Sequence, residues 1–393
     1  MNILFVSAVL PYPLHSGGQV RMYNLLKRLG KRHSITLVSF IRSEEERMYA
    51  NELGFCSQVK MVMRGRAWQP KYYIGAAFGT YPFLLKTYDN REMRTVLDDL
   101  LVHTTYDVMH IEPFYVIPSI PTHAVPLVIS EHNIEYDVYD GYVRRFPVPF
   151  LRPLLALDVH KLRVWENNAW KRATSVTAVS YEDASVVEAY IHRPVHVISN
   201  GVDLSAFPFR EPVKRKNPTI VFVGNFRWHP NRDAARELIE HIWPGIQKSI
   251  PHARLSIVGR NMPTLLKKQA YRVGAEAHDT IEDIAKVYRD ADILVAPHAI
   301  SGGTKFKMLE AMASGLPIVT SQEGMHGLSV TPGVQYLLAK TPSEYVAHVQ
   351  TLCSTISSAH VVASHARKLV EEQYGWATIA DELETVWKNA CVR

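Results

Sequence analysis

The stretch PHAISGGTKFKMLEAMASGLP, residues 297–317, combines residue types that bind phosphate. It reads as the end of a strand, a loop with Gly302, Gly303 and Thr304, and a helix that opens near Thr304 and closes at Gly315. Backbone amides at a helix N-terminus bind anions, and glycines let an anion approach them closely. We therefore expect this loop to offer a phosphate-binding site.

Two lysines and a glutamate in the same stretch add to this expectation. Lys305 and Lys307 fall in the predicted first turn, where their charges oppose the helix dipole at a cost of about 0.3–1 kcal/mol. A bound phosphate would offset that cost. Glu310 lies further along among apolar residues, where its carboxylate could accept hydrogen bonds from neighbouring sugar hydroxyls. The alternative for Glu310 is a surface ion pair with Lys305 or Lys307.

A second glycine pair follows the first predicted strand. Gly17 and Gly18, after Ser16, lead directly into the helical pattern VRMYNLLKRLG, so backbone amides there could face a phosphate. The third glycine of GxGxxG is missing and no acidic residue ends the second strand, which argues against a nicotinamide dinucleotide site. An unconstrained turn is the alternative interpretation.

His132 follows the predicted strand PLVIS, residues 126–130, at the end of the sheet where ligands bind. Glu131 and Glu135 are near enough in the sequence to orient its ring. A structural role is the usual one for a histidine in a chain with eighteen of them.

Carboxylates around His132 leave a glycosidase open as an alternative, with its acid and nucleophile among Glu112, Glu135, Asp137 and Asp140. Their spatial separations, which such a mechanism requires, are not given by the sequence. A hydrolase also has no need for two phosphate-binding loops.

Short β-branched runs alternate with helical stretches along the chain, which predicts parallel sheets. Six runs precede the polar, proline-bearing stretch 206–218 and four follow it, so we expect two successive Rossmann-like domains joined there. The runs are ILFVSAV, SITLVSF, DVMHIE, PLVIS, SVTAVS and VHVISN, and then TIVFVGN, RLSIVGR, DILVAP and PIVTS.

Composition fits this picture. The 393 residues are 47% hydrophobic and 21% charged, which excludes disordered and collagenous chains and suggests two domains. A net charge of +6 is too small for a histone-like nucleic-acid binder, so no nucleic-acid partner is expected. The three cysteines are far apart, which indicates neither a disulfide framework nor a zinc site. With no signal peptide and no apolar run long enough to span a membrane, we expect a cytoplasmic protein.

Several segments together resemble family 4 of the GT-B glycosyltransferases, a family of retaining enzymes, over essentially the whole chain. Two further segments, VFVGNFRWHPN and EHNIEYDVY, are similar to a bacterial subgroup that assembles surface polysaccharides. The family segments, in chain order, are AVSYEDA, VISNGVDLSAF, IEDIAKVYRDADILVAP, ASGLPIV and YGWATIADELETVW.

The resemblance implies an α/β GT-B fold, with two facing Rossmann-like domains and a cleft between them. Residues 1–205 would form the acceptor domain and 206–375 the donor domain, with a C-terminal helix over 376–393 packing back on the first. It implies a nucleotide diphosphate-sugar donor, with UDP or GDP favoured, a glycan or lipid-linked acceptor, retention of the anomeric configuration, and neither a metal nor a cofactor.

The resemblance also assigns roles to residues. Glu310, the last Glu of the family's E-x7-E motif, would bind the donor ribose, and Gly17 and Gly18 the diphosphate. His132 would face the donor sugar. The first Glu of the motif falls on Gly302, so contacts to the sugar would come mostly from backbone amides of Gly303 and its neighbours.

A second departure concerns the family's basic pair, which is replaced by Asn225 and Asn231. We expect Arg227 and Lys305 to neutralise the leaving diphosphate instead, on the basis of their charge and loop position. These departures also keep a non-catalytic nucleotide-sugar-binding subunit open as an alternative, and the fold alone leaves a sugar-nucleotide 2-epimerase open.

Two basic, aromatic-rich segments, 60–73 and 142–172, carry many more cations than carboxylates. Such segments can lie on an anionic membrane, each surface cation contributing about 1 kcal/mol. This predicts peripheral contact with the inner face of a membrane. The alternative is that Trp68 and Phe150 are core residues and the cations a solvated face.

Overall fold

The computed structural model describes residues 1–122, 125–279, 283–299 and 305–392. The chain divides into two compact units, the first formed by Met1–Ser199 with Ile379–Arg393 and the second by Asn200–Thr378. The division after Ser199 lies slightly before the predicted boundary between 205 and 206. The C-terminal helix begins in the second unit and ends in the first.

The first unit contains a parallel sheet with the order β3-β2-β1-β4-β5-β6-β7 in the described part of the chain. Its strands are β1 (Asn2–Ser7), β2 (Ser34–Ile41), β3 (Gln58–Met63), β4 (Val108–Glu112), β5 (Leu127–Glu131), β6 (Ser175–Ala178) and β7 (His196–Val197). Its helices are α1 (Gly17–Leu29), α2 (Pro70–Phe78), α3 (Phe83–Lys86), α4 (Arg91–His103), α5 (Glu135–Arg144), α6 (Arg152–Arg172) and α7 (Tyr181–Ile191).

The second unit contains a parallel sheet with the order β10-β9-β8-β11-β12-β13 in the described residues. Its strands are β8 (Thr219–Val223), β9 (Arg254–Val258), β10 (Glu276–His278), β11 (Ile293–Ala296), β12 (Ile318–Thr320) and β13 (Leu337–Leu338). Its helices are α8 (His229–Glu237), α9 (Trp243–Ser249), α10 (Thr264–Arg272), α11 (Ile284–Asp290), α12 (Phe306–Ala313), α13 (Gln322–Met325), α14 (Pro342–Ser354) and α15 (Ile356–Leu369), and α16 (Trp376–Cys391) follows.

Both sheets are Rossmann-like, and the burial of their central strands explains why the sequence shows these strands as apolar runs. In β1, residues Ile3, Leu4, Phe5 and Val6 are completely buried, because helices cover both faces of the sheet. Strand β1 pairs in parallel with β2 and β4, and β8 with β9 and β11, so the order reverses beside the first strand of each unit. Ligands of such sheets bind beyond the carboxyl ends of the strands at this reversal.

Gly315 ends α12 as predicted. Its φ of 77° lies in the left-handed region, and a Cβ there would clash with the backbone of Arg210. Only glycine fits this position, because an L side chain is strained at positive φ and has no space here.

Candidate active site

The glycine pair of the first unit lies in the first turn of α1. Ser16 caps this helix, and its hydroxyl accepts a hydrogen bond from the backbone amide of Gln19 at 3.4 Å. A Cβ on Gly18 would lie 3.1 Å from Cε1 and 3.3 Å from Nδ1 of His132. The structure therefore brings together two sites of the first unit that the sequence indicated separately.

His132 is held by a carboxylate at the end of β4. Its Nε2 lies 2.6 Å from Oε1 of Glu112, which is completely buried. A carboxylate accepts, so the ring proton is on Nε2, and Nδ1 is left on the side of Gly18. Glu112 thus takes the orienting role expected of Glu131 or Glu135. Glu131 instead accepts a hydrogen bond from the indole of Trp170 at 2.8 Å.

Glu112 is also the anion of a buried ion pair. Nε of Arg21 donates to it at 2.9 Å, and Nε2 of His110 lies 3.2 Å from its other oxygen. Burial opposes its ionisation, but the hydrogen bonds from His110 and His132 and the charge of Arg21 outweigh burial, so the pKa of Glu112 lies well below its usual range. A carboxylate held this way does not serve as the acid or nucleophile of a glycosidase.

This network extends to the C-terminal helix. The indole Nε1 of Trp387 donates to Nδ1 of His110 at 3.1 Å, and burial lowers the pKa of His110. His110 is therefore neutral, with its remaining ring proton on Nε2 toward Glu112. Nη1 of Arg21 donates to the carbonyl of Ser199 at 2.7 Å.

In the second unit, Glu310 lies on α12 beside Tyr288 of α11. The Tyr288 hydroxyl donates to Oε2 of Glu310 at 3.0 Å. Burial raises the pKa of Glu310 to about 7. The partner of Glu310 is thus a tyrosine, and the surface ion pair with Lys305 or Lys307 that the sequence left open is not formed.

The two predicted phosphate-neutralising cations have different surroundings. Lys305 is the residue before α12, and its Nζ donates to the carbonyl of Glu323 at 3.1 Å. Burial lowers the pKa of Lys305 to about 8. Arg227 lies in the loop after β8 with its side chain exposed, and its backbone amide donates to Oδ1 of Asn225 at 3.1 Å.

Lys307 makes contacts that the sequence did not predict. Its Nζ lies 2.8 Å from Oδ1 of Asn231 and 3.0 Å from Nε2 of His298. Asn231 belongs to α8 and His298 follows β11, so the three meet near the carboxyl ends of neighbouring strands of this sheet. Gly302, Gly303 and Thr304, the predicted phosphate loop, lie outside the described residues.

Two family models match the chain. Residues 15–206 match "Glycosyltransferase Family 4" and residues 217–355 match "Glycosyl transferases group 1". The chain belongs to the glycosyltransferases of family 4 type.

Curated relatives agree with this assignment at low identity. The glycosyltransferase is 20% identical over 392 residues to an "Uncharacterized 44.6 kDa protein in cps region" of Klebsiella pneumoniae, covering 95% of this chain and 96% of the relative. It is 28% identical over 212 residues to a phosphatidyl-myo-inositol mannosyltransferase of Mycobacterium leprae, covering 49% of this chain and 53% of the relative.

The fold also agrees. A crystal structure of Anabaena Alr3699/HepE in complex with UDP and glucose superimposes with a TM-score of 0.65 and 15% identity, covering 99% of each chain. Two Rossmann-like units and this likeness confirm the predicted GT-B fold of the glycosyltransferase.

Sequence reasoning missed Arg21 and His298 as parts of the site, and it named Glu112 only as a possible glycosidase carboxylate. A signal for Glu112 was present, because a charged residue ends the otherwise apolar strand VMHIE. Arg21 had a weaker signal, as a cation on the buried side of α1. The pairing of Arg21 with Glu112 could not be predicted from the sequence, since the two residues are 91 residues apart in the chain.

Proposed function

We propose that this glycosyltransferase moves a sugar from a nucleotide diphosphate-sugar, UDP- or GDP-linked, to a glycan or lipid-linked acceptor, with retention of the anomeric configuration. The observation that carries the proposal is the placement of Glu310. A partly accessible carboxylate on α12, already positioned by Tyr288, suits recognition of ribose hydroxyls. The Anabaena structure, which holds UDP and glucose, supports the same donor class.

In this mechanism, the bond between the anomeric carbon and the diphosphate oxygen breaks, and the acceptor oxygen bonds to the same carbon on the same face of the sugar. The departing phosphate oxygen assists by taking the proton of the acceptor hydroxyl. The protein supplies positioning and charge stabilisation. Gly17 and Gly18 would approach the diphosphate, and His132, fixed by Glu112, would contact the donor sugar. We propose that neither a metal nor a cofactor takes part. In the described part of the chain, no three His, Cys, Asp or Glu side chains form a group suited to a metal ion.

A role in surface-polysaccharide or glycolipid assembly is the context we propose. It is supported by the full-length similarity to a protein of a Klebsiella cps region and by the half-length similarity to a lipid mannosyltransferase.

Donor turnover tests the proposal. UDP- and GDP-sugars are incubated with the full chain, with and without glycan and lipid-linked acceptors, and nucleotide diphosphate release is followed. We expect acceptor-dependent release with one donor class, and an α-linked donor should give an α-linked product. Isomerisation of the free donor would favour the 2-epimerase, and binding without turnover would favour the non-catalytic subunit.

A membrane-facing surface is the second part of the proposal. The structure exposes a group of large apolar side chains on α2, on α6 and on the segments before them, which we call the apolar-basic surface. No helix among the described residues is long and apolar enough to cross a membrane. The apolar members of this surface are Trp68, Ile74, Phe78, Phe150, Leu154 and Leu157, with exposed fractions from 54% to 90%.

The two helices that carry most of these side chains lie close together. Lys161 of α6 donates to the carbonyls of Ala76 and Gly79 at 2.8 and 2.9 Å. Exposed cations accompany the apolar groups, including Lys71 and Arg145. The alternative in which Trp68 and Phe150 are core residues is therefore wrong.

Apolar groups flanked by cations match an anionic lipid surface. Vesicle flotation at low and high salt tests this. We expect binding to anionic vesicles that weakens with salt, and a Trp68→Ser/Phe150→Ser variant should float less while turning over a soluble donor normally. Equal binding to neutral vesicles, or none at low salt, would contradict the proposal and favour a soluble glycan acceptor.

A further inference from the structure

Among the described residues, a lysine amine in the second unit has only neutral side chains as hydrogen-bond partners. Nζ of Lys307 contacts the amide oxygen of Asn231 and the ring nitrogen Nε2 of His298, and it lies 4.9 Å from the centroid of the Phe222 ring. Among the residues that the structure describes, no carboxylate forms an ion pair with it. Even a partly buried cation without a counter-ion is costly, so the position of this lysine needs an explanation.

The charged groups around Lys307 balance it only in part. Lys305 adds a second positive charge, and the carboxylate of Glu310, one turn along α12, offsets part of the charge although it already accepts the Tyr288 hydroxyl. His298 is neutral, since burial and then the charges of Lys307 and Lys305 lower its pKa to about 2. An ammonium group can only donate, so the neutral His298 accepts from Lys307 through Nε2.

The amine of Lys307 lies where parallel sheets bind their ligands. Asn231 and His298 follow β8 and β11, whose carboxyl ends form the binding edge of the sheet. Lys307 lies in the first turn of α12, whose dipole also attracts an anion. Its side chain is only partly buried, so an anion could reach it.

We propose that Lys307, held in place by Asn231 and His298, binds the diphosphate of the donor and takes up a proton as the anion binds. This deepens the proposed function and rests on it for the identity of the ligand. Lys307 thereby supplies positive charge in place of the family's basic pair, which Asn225 and Asn231 replace.

Proton uptake follows from the lowered pKa of Lys307. Burial, and then the charge of Lys305, lower the pKa of Lys307 to about 7. At slightly alkaline pH a large fraction of the amine is therefore neutral before the anion arrives. A diphosphate beside it favours the ammonium form and raises the pKa, so a proton is taken from the buffer.

Titration calorimetry measures this directly in the wild-type chain. Inorganic pyrophosphate and UDP are the probes, at pH 7.5, in two buffers with different ionisation enthalpies. We expect both probes to bind with uptake of a fraction of a proton, seen as a buffer-dependent enthalpy. Binding of neither probe, or binding with no proton uptake, would overturn the proposal.

Two variants and one control test whether Lys307 is the group that takes up the proton. Lys307→Met should lower pyrophosphate affinity at least ten-fold and abolish the uptake, while Lys248→Met, at an exposed lysine of the same unit, should behave as wild type. Asn231→Asp places a carboxylate beside the amine, so it should keep the fold and the melting temperature yet weaken pyrophosphate binding and remove the uptake. Wild-type affinity in Lys307→Met would contradict the assignment.

This proposal and the proposed function can fail independently of each other. Proton-linked pyrophosphate binding that depends on Lys307, without turnover of any nucleotide sugar, would keep this inference and remove glycosyl transfer. Turnover with unchanged binding in Lys307→Met would do the reverse.

Discussion

Each of the two units places a cation near the binding edge of its sheet, and the surroundings of the two cations differ. Arg21 in the first unit is paired with Glu112, whose carboxylate also receives His110 and His132. In the part of the chain that the structure describes, Lys307 in the second unit has only an amide and a neutral imidazole as hydrogen-bond partners. The first arrangement completes its own charge balance and fixes a side chain. The second leaves a charge for a ligand to balance.

The largest effect expected from this comparison is on the stability of the first unit. Glu112→Ala leaves Arg21 buried without an anion, which should lower the free energy of unfolding by about 3–5 kcal/mol. Urea unfolding of the full chain measures it, with Glu52→Ala at an exposed site as the control, expected within about 0.5 kcal/mol of wild type.

The ion pair between Arg21 and Glu112 can also be removed as a whole. Because Arg21→Met/Glu112→Leu leaves no charge of the pair behind, the double variant should lose less stability than Glu112→Ala alone. A double variant no more stable than the single one would mean that Glu112 acts mainly through His110 and His132.

The partly buried Glu310 of the second unit should behave differently from Glu112. Glu310→Gln leaves no cation unpaired, so the fold should keep its stability, while loss of hydrogen bonds to a charged acceptor should weaken donor binding by about 1.5–3 kcal/mol. Donor affinity and thermal unfolding are measured on the same sample, with Glu372→Gln at an exposed position as the matched control. Unchanged donor affinity in folded protein would remove Glu310 from the ribose site.

In the absence of ligand, the stability of the chain should depend on pH because of Lys307. The pKa of Lys307 is depressed in the folded chain to about 7, from an ordinary value of 10.5. Between these values the unfolded state binds more protons, so this lysine's contribution to stability rises with pH, by at most about 1.4 kcal/mol per pH unit. Unfolding of wild type and Lys307→Met at pH 7 and 8 measures the difference.

In that experiment the variant should lose part of the rise and be at least as stable as wild type at pH 7, the opposite of Glu112→Ala. Parallel pH profiles would indicate that the amine is protonated throughout.

The smallest effects on stability are expected at the contact between His132 and α1. His132→Ala should spare nucleotide binding and lower the rate of transfer, because the ring is fixed by Glu112 for a contact with the sugar. Gly18→Ala should shift the ring, since a Cβ would lie 3.1 Å from Cε1 of His132. The initial rate of transfer and the UDP affinity of each variant are compared with those of the wild type. Early melting of His132→Ala with normal activity per folded molecule would restore a structural role.

Much of the fold was predictable because central strands of a parallel sheet are buried on both faces. Each of the ten predicted apolar runs overlaps a strand of the structure. Among the described residues, the three strands missed are edge strands. Strand β3 has polar residues alternating along QVKMVM, and β10 and β13 have only three and two residues, too few to show a pattern.

The sequence by itself determined the alternation of strands and helices, the glycine-rich helix starts and the family segments, because these depend on residues close together in the chain. The partners of the charged groups depended on the tertiary structure. Glu112 meets Arg21 across 91 residues and His110 meets Trp387 across 277, while Lys307 meets Asn231 across 76. Such pairs form where the fold brings the ends of separate strands and helices together, and the same fold sets the burial that shifts their pKa values.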